Sequence, residues 1–119
     1  MKISKMQELL EAKVLCGEEY MDRHVYSACG CDLMSDVLAY VKDQAVLLTG
    51  LVNPQVVRTA LMMDMHCIVF VRSKKPDEEI IKLAEENEMV ILSTDNTLYN
   101  ACGILYTNGL AGYKKEVHK

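Results

Sequence analysis

The sequence predicts an α/β domain with three layers, in which a mainly parallel sheet of about five strands lies between helices on both faces. Unbroken apolar runs, as at 45–48 and 67–71, are typical of strands that are covered on both faces. Segments with apolar residues three and four positions apart, typical of helices, alternate with these runs. Strands that are joined by helices favour parallel pairing with right-handed crossovers.

The first third of the chain contains two predicted strands and two predicted helices. Residues 1–11 form an amphipathic helix, because charges are interspersed among the apolar positions. A short strand over 12–17 ends at Gly17, and a second strand covers 24–30. A helix then begins at Asp32. Its predicted apolar face consists of Leu33, Met34, Val37, Leu38 and Val41.

The central strand begins at Ala45 and ends where Thr49 and Gly50 interrupt its apolar run. Asn53 is predicted to cap the helix that follows, because its side-chain oxygen can accept a hydrogen bond from a free amide. Pro54 suits the first helical position. Proline lacks an amide N–H, and at this position the N–H would have no partner within the helix.

The second half of the chain continues the alternation. A strand over 67–71 is followed by a loop, since Pro76 disfavours helix at the residue before it, and then by a helix that begins near Asp77. A last strand over 89–92 leads through a capping loop at 93–96 into the final helix.

The chain is expected to form one domain. Its 119 residues can bury roughly two-thirds of the unfolded surface in a single core. Asn108 and Gly109 are predicted to end the final helix, so the domain covers 1–110. Residues 111–119 are expected to be a charged, flexible tail.

Composition excludes several classes of protein. The net charge of −4 gives no general attraction to the phosphates of a nucleic acid. No apolar run approaches the length of about 18 residues that a membrane helix needs. Five cysteines, an odd number without paired spacing, fit a reducing compartment. We therefore expect a cytoplasmic protein without nucleic-acid or membrane partners.

Polar residues follow each predicted parallel strand, at the edge where ligands bind in open α/β sheets. Each strand exit also leads into a helix N-terminus, whose free amides and dipole attract anions. Arg72, Lys74 and Lys75 add positive charge at this edge. The sequence therefore predicts a site for a small anionic or nucleotide ligand. Its candidate residues are Asp32, Ser35, Asp36, Thr49, Gly50, Asn53, Gln55, Arg72, Ser73, Lys74, Ser93 and Thr94.

Two other interpretations of this edge remain open. Helix starts lie here in every α/β protein, so Asn53, Asp77 and Thr94 also fit a purely structural capping role. Asp32 and Asp36, four residues apart on one predicted helix face, could instead hold a divalent cation. With Arg72, these two carboxylates would suit a phosphotransferase, which is the alternative function.

The sequence does not contain an evident catalytic or cofactor motif. Cys29 and Cys31 could take a redox or metal role, but a structural zinc site needs about four ligands and the other cysteines are predicted elsewhere. His24 and His66 begin strands, far from the ligand edge. Glycine-rich phosphate loops are absent, so neither a metal nor a cofactor is predicted.

Several segments considered together resemble the DRTGG domain family, over about residues 4–110. They are Met21-Asp22-Arg23-His24-Val25, Asp32-Leu33-Met34-Ser35-Asp36-Val37-Leu38, Leu47-Leu48-Thr49-Gly50, Asn53-Pro54-Gln55, Ile68-Val69-Phe70-Val71 and Leu92-Ser93-Thr94. The chain departs from the family's signature at two places. Residues 51–55 stand where an Asp-Arg pair is expected, and 73–75 stand where paired glycines are expected.

The resemblance implies an α/β domain similar to the N-terminal domain of HPr kinase/phosphorylase and to the first domain of MurF. It implies a non-catalytic and dimeric module with a role in regulation or assembly, in a family whose CBS neighbours are the chief binders of adenine nucleotides. We therefore expect a stand-alone regulatory or protein-interaction module, a homodimer, whose regulated partner is a separate polypeptide or a second copy.

Overall fold

The chain folds into a five-stranded sheet between two layers of helices. The computed structural model describes residues 1–40 and 44–112, except for the side chain of Tyr40. The strands are β1 (Lys13–Cys16), β2 (Ser27–Gly30), β3 (Ala45–Thr49), β4 (Cys67–Phe70) and β5 (Val90–Ser93). The helices are α1 (Ile3–Leu10), α2 (Met34–Tyr40), α3 (Pro54–Met62), α4 (Glu78–Glu86) and α5 (Leu98–Thr107), with a 3₁₀ turn at Glu18–Tyr20. The predicted three-layer α/β architecture is confirmed.

The order of the strands across the sheet is β1-β5-β4-β3-β2. Strands β2 to β5 are parallel, and each lies beside the strand that precedes it in the chain. Only β1 runs the other way, antiparallel to β5 at one edge. Because every parallel crossover moves in the same direction and is right-handed, the connecting helices are expected on one face of the sheet.

Two hydrophobic cores, one on each face, confirm this placement. Helices α2, α3 and α4 cover one face, where Val37, Val57 and Ala84 pack against Leu47 and Phe70. Helices α1 and α5 cover the other face, where their buried residues pack against alternate residues of the same strands. Both faces of the central strands are therefore covered, which explains their unbroken apolar runs.

Strand β2 and helix α2 begin later than predicted. Strand β2 starts at Ser27, and His24 forms only an isolated bridge with Lys2. Helix α2 starts at Met34, so Asp32 precedes it and does not share a helix face with Asp36 as predicted. Both shifts occur because residues before these elements are engaged in contacts with distant parts of the chain.

Helix α2 buries less of its predicted apolar face than expected. Met34 and Val37 are buried, but Leu33 just before the helix is 58% exposed and Leu38 is 40% exposed. Val41 lies outside the described residues. Helix α2 connects the edge strand β2 to β3 and packs beside one described helix, α3, so some of its apolar residues are left uncovered.

The predicted helix caps are confirmed for α3 and α4. The side chain of Asn53 accepts a hydrogen bond from the Val56 amide at 3.2 Å, and Pro54 is the first residue of α3. The side chain of Asp77 accepts from the Ile80 amide at 3.0 Å. These caps are local, so residue type and spacing are sufficient to predict them.

Helix α5 is capped by a residue outside the predicted loop at 93–96. Thr97, not Thr94, accepts from the Asn100 amide at 3.3 Å. At the other end, Asn108 is the C-cap and Gly109 has a φ of 101°, as expected.

The chain beyond α5 continues along the open edge of β2. The amide of Ala28 donates to the carbonyl of Ala111 at 3.2 Å, and Gly112 forms a parallel bridge with Ala28. The rest of the predicted tail, 113–119, lies outside the described residues. In the ranges that the structure covers, no helix has the length and apolar character needed to cross a bilayer.

Candidate functional site at the carboxyl rim

The carboxyl ends of β2 to β5 lie side by side, so the loops that follow them line one rim of the sheet. We call this the carboxyl rim and define it as residues 31–33, 49–53, 71–77 and 93–97. Most of the candidate ligand residues lie on it. Ser35, Asp36 and Gln55 lie beyond it, within the first turns of α2 and α3.

Asp32 joins the exits of β2 and β3. One of its carboxylate oxygens, Oδ1, accepts from the Thr49 hydroxyl and from the Gly50 amide, both at 2.8 Å. These hydrogen bonds, with a smaller contribution from the positive charge of Arg72, hold the pKa of Asp32 below its ordinary value. Asp32 is therefore an ionised bridge between two loops and not the predicted helix cap.

Arg72 lies against the backbone of Gly50. A Cβ atom on Gly50 would be 2.7 Å from Nη2 of Arg72, so a larger residue there would shift the guanidinium from this position. The side chain of Arg72 is exposed, and no ion pair joins it to a carboxylate among the residues described. This leaves a guanidinium group available on the rim beside Asp32.

The loop after β4 contains two consecutive residues in the left-handed region, Arg72 with a φ of 55° and Ser73 with a φ of 56°. Their amides donate to the carbonyls of Asn96 and Thr94, at 2.8 and 2.9 Å. Glycine adopts this backbone at the least cost. The family resemblance predicts paired glycines in this region, and the two left-handed residues begin one position earlier than the predicted 73–75.

The helices diverge between β4 and β5, since α4 covers one face of the sheet and α5 covers the other. Such a divergence commonly opens a ligand crevice. Here the chain bridges it, because the Ser73 hydroxyl donates to the Asp95 carboxylate and the Ser93 hydroxyl donates to the Lys74 carbonyl at 3.0 Å. The predicted residues Ser73 and Ser93 therefore bind each other's loops.

Thr94 points inward and not toward a ligand. It is 2% exposed, and its hydroxyl donates to the carbonyl of Leu10 at 2.8 Å. Asn96 donates to the same carbonyl at 3.1 Å. Together they hold the end of α1 against the rim. Beside them lies a cavity of about 320 Å³. It is lined by Leu10, Glu11, Asp95, Asn96, Thr97 and Asn100, none of which is among the candidate ligand residues.

The remaining candidates do not converge on one point. Asn53 caps α3, and Gln55 donates to the Thr59 hydroxyl at 3.4 Å. Asp36 is exposed on α2. Across 1–40 and 44–112, no three His, Cys, Asp or Glu side chains are placed to hold a metal ion. The cluster that the fold does assemble is Asp32, Thr49, Gly50 and Arg72.

Comparison with known families agrees with this architecture. The model of the DRTGG domain family matches residues 5–107 of the chain. The chain belongs to the DRTGG domain family. No curated protein sequence matches it.

A solved structure similar to this DRTGG domain is the crystal structure of the CBS and DRTGG domains of the regulatory region of Clostridium perfringens pyrophosphatase, complexed with the activator diadenosine tetraphosphate. The TM-score is 0.72 and the sequence identity is 15%, over 87% of this chain and 45% of the other. The chain thus spans less than half of that neighbour's length, and the likeness is one of fold.

The cysteines near β2 in this DRTGG domain are poor candidates for thiolate chemistry. Burial raises the pKa of Cys29 to about 11, and the neighbouring thiols of Cys31 and Cys102 add to the shift. Burial likewise raises the pKa of Cys102, whose sulfur lies against Gly30. Reactive thiols need the opposite shift, so a redox role is disfavoured for Cys29 and Cys102.

The opposite edge of this DRTGG domain, where the parallel strands begin, contains a cavity that the sequence analysis did not predict. Its volume is about 220 Å³, and it brings His24 and His66 together with Arg23. The sequence did place both histidines at strand starts. Parallel strands align their starts as well as their ends, so the same reasoning that predicted the carboxyl rim could have predicted this group.

Proposed function

We propose that this DRTGG domain is a non-catalytic regulatory module that binds a small anionic or nucleotide ligand at its carboxyl rim and acts as a cytoplasmic homodimer. The observation that carries the ligand proposal is the exposed guanidinium of Arg72, which lies over Gly50 at the rim. Family membership and the fold shared with a DRTGG domain from a nucleotide-activated regulatory region support it.

The ligand's phosphate or carboxylate would meet Arg72 from the solvent side. The Gly50 amide and the Thr49 hydroxyl are already occupied by Asp32, so they are not free to hold an anion. Lys74 and Lys75 are exposed next to Arg72 in the chain and add positive charge. Arginine is well suited to this contact because its planar fork can make two hydrogen bonds to one oxyanion.

Self-association is supported by exposed apolar side chains just before β2 and at the start of and within α2. Tyr26 is 68% exposed, and Leu33 and Leu38 are also largely uncovered. Exposed apolar surface commonly marks a protein interface. Two copies that meet through the surface around these residues would form the two-fold dimer that is most frequent among homo-oligomers.

Ligand binding at the rim can be tested by thermal unfolding of wild-type protein with AMP, ATP, diadenosine tetraphosphate or inorganic phosphate, with and without magnesium. We expect at least one nucleotide to raise Tm, since a ligand that binds only the folded state stabilises it. We expect Arg72→Ala to weaken that binding about tenfold or more, equivalent to about 1.4 kcal/mol.

Arg58→Ala is the matched control, because Arg58 is also an exposed arginine but lies on α3 away from the rim. Equal affinities of the wild type and Arg72→Ala would contradict the proposal, as would the absence of any shift. Stabilisation without turnover supports a sensor. Magnesium-dependent turnover of ATP that Asp32→Ala abolishes would favour the phosphotransferase instead.

A further inference from the structure

The cavity at the starts of the parallel strands has an apolar floor and a polar wall. We call this edge the amino rim. Ile3 and Val25 form the floor, with exposed fractions of 0% and 3%. The polar wall consists of Arg23, His24, Tyr26, Gln44 and His66. This combination of an apolar surface and a few convergent polar groups is typical of small-molecule sites.

The guanidinium group of Arg23 is held in place by the fold before any ligand binds. The guanidinium of Arg23 lies 4.0 Å from the ring centre of Tyr20, and its Nη1 donates to the carbonyl of Glu88 at 2.6 Å. These contacts fix Arg23 at the cavity and leave its other N–H groups for a further partner. A ligand would therefore not have to order this side chain on binding.

Three other polar side chains of the wall make no hydrogen bond with the part of the fold that the structure describes, and a fourth contacts a single carboxylate. Among the described residues, His24, Tyr26 and Gln44 make no side-chain hydrogen bond, although the His24 and Tyr26 rings are nearly parallel at 6.3 Å. His66 contacts Asp64 at 3.4 Å between Nε2 and Oδ1. Residues that neither pack into the core nor brace a loop are free to contact a ligand.

The charges around the cavity favour an oxyanion. Arg23 is permanently positive, and the ring N–H groups of His24 and His66 can donate hydrogen bonds to an oxyanion. The opposing carboxylates are Glu88, at 4.0 Å from Nη2 of Arg23, and Asp64 beside His66. Each of these carboxylates lies beside one cation and does not line the cavity, and the lining side chains that the structure describes are cationic or neutral.

The volume of the cavity limits the size of the ligand. Drug-sized ligands occupy pockets of about 300–1,000 Å³, and one water takes about 30 Å³. A cavity of about 220 Å³ is therefore too small for a nucleotide but large enough for one oxyanion with a short apolar part.

We propose that the amino rim is a second ligand site of this domain, which binds a small oxyanion, a phosphate or carboxylate group, between Arg23, His24 and His66. The apolar part of such a ligand packs on Ile3 and Val25. This site lies at the opposite end of the strands from the carboxyl rim and does not depend on the function proposed for that rim.

The test is a titration of ¹⁵N-labelled wild-type protein with sodium sulfate, followed by the amide shifts in NMR spectra at constant ionic strength. Sulfate is chosen because it is a small oxyanion whose charge does not change near neutral pH. We expect saturable shifts at the amides of 23–26, 44 and 66. The same titration with phosphate and with acetate then shows which oxyanion binds more tightly.

Two kinds of variant complete the test. His24→Gln together with His66→Gln should weaken sulfate binding at the amino rim at least fivefold. Arg72→Ala, at the other rim, should leave the shifts of the amino rim unchanged, so failure of one proposal is distinguishable from failure of the other. Shifts of the amino rim that do not saturate or that persist in the histidine variant, or shifts confined to other parts of the domain, would overturn the proposal. If the double variant does not fold, the wild-type titration alone tests the proposal, by whether the amides of the amino rim show saturable shifts.

Discussion

Asp32 shows how one side chain can be mistaken for a local cap when its partners are distant. Its residue type and its place before α2 suit a helix start, but its carboxylate binds Thr49 and Gly50, 17 and 18 residues later. Asn53 and Asp77, whose partners lie three residues ahead, were predicted correctly. Sequence therefore predicts those polar contacts that are made within one turn, and misses those that depend on which strands are neighbours.

The replacement Asp32→Ala should lower the free energy of unfolding by about 1 kcal/mol at pH 7. This is less than the roughly 1.5–3 kcal/mol of hydrogen bonds to a buried charge, because the carboxylate is exposed to solvent. The folded-state pKa of Asp32 is below its ordinary value of 3.8. The stabilisation is therefore present above that value and is lost as the pH falls through the lower, folded-state pKa.

Urea unfolding of the wild type and Asp32→Ala at pH 7 and at pH 3 measures this effect. Asp36→Ala is the control, because Asp36 is an exposed carboxylate in α2. A difference between the wild type and Asp32→Ala that stays constant, or grows, toward pH 3 would be inconsistent with a stabilising ionised bridge.

At the scale of elements, the apolar pattern predicted the helices, the strands and their order along the chain, because burial on both faces leaves a clear periodicity. It did not predict which apolar residues would stay exposed. Leu33 and Leu38 were predicted to be buried because their spacing fits a helix face, whereas α2 follows the edge strand β2 and packs beside α3. Position in the sheet is a property of the assembled fold, and a local pattern does not contain it.

The junction between β1 and β5 depends on Gly17. Gly17 has a φ of 85°, and a Cβ there would lie 2.5 Å from the Met89 carbonyl oxygen and 2.8 Å from the Val90 Cα. Backbone atoms cannot rotate away as a side chain can. We expect Gly17→Ala to cost about 2–4 kcal/mol, from the unfavourable φ together with the overlap.

Gly103→Ala is the matched glycine control for this prediction. Gly103 lies inside α5 and a Cβ there would meet nothing within 4 Å. Alanine should therefore stabilise the helix by about 0.5–1 kcal/mol. Thermal and urea unfolding measure both variants. Equal stability of Gly17→Ala and the wild type would mean that β1 does not approach β5 so closely.

The whole molecule exposes apolar side chains just before and within α2, at Leu33 and Leu38, and its proposed homodimer can be tested there. We expect size-exclusion chromatography with light scattering to give a dimer for the wild type and a monomer for the double replacement Leu33→Glu and Leu38→Glu. Two buried carboxylates per subunit would face a desolvation cost that the interface does not offset. Tm at low protein concentration should change little, because both leucines are exposed in the single chain.

Met62→Glu is the control for the dimer, since Met62 is 71% exposed on α3, away from that edge. A dimer that persists in the leucine variant but dissociates in the methionine variant would move the interface to α3. A wild-type monomer at micromolar concentration would rule out the homodimer.

The antiparallel place of β1 affects how this domain is completed during synthesis. Strands β2 to β5 leave the ribosome in the same order in which they lie across the sheet, each beside its predecessor. Strand β1 is made before them, yet its partner β5 is the last to emerge. A nascent chain stalled before residue 90 would thus expose β1 and the edge of β4 without their shared partner strand. Unpaired strand edges of this kind promote aggregation and are protected by chaperones.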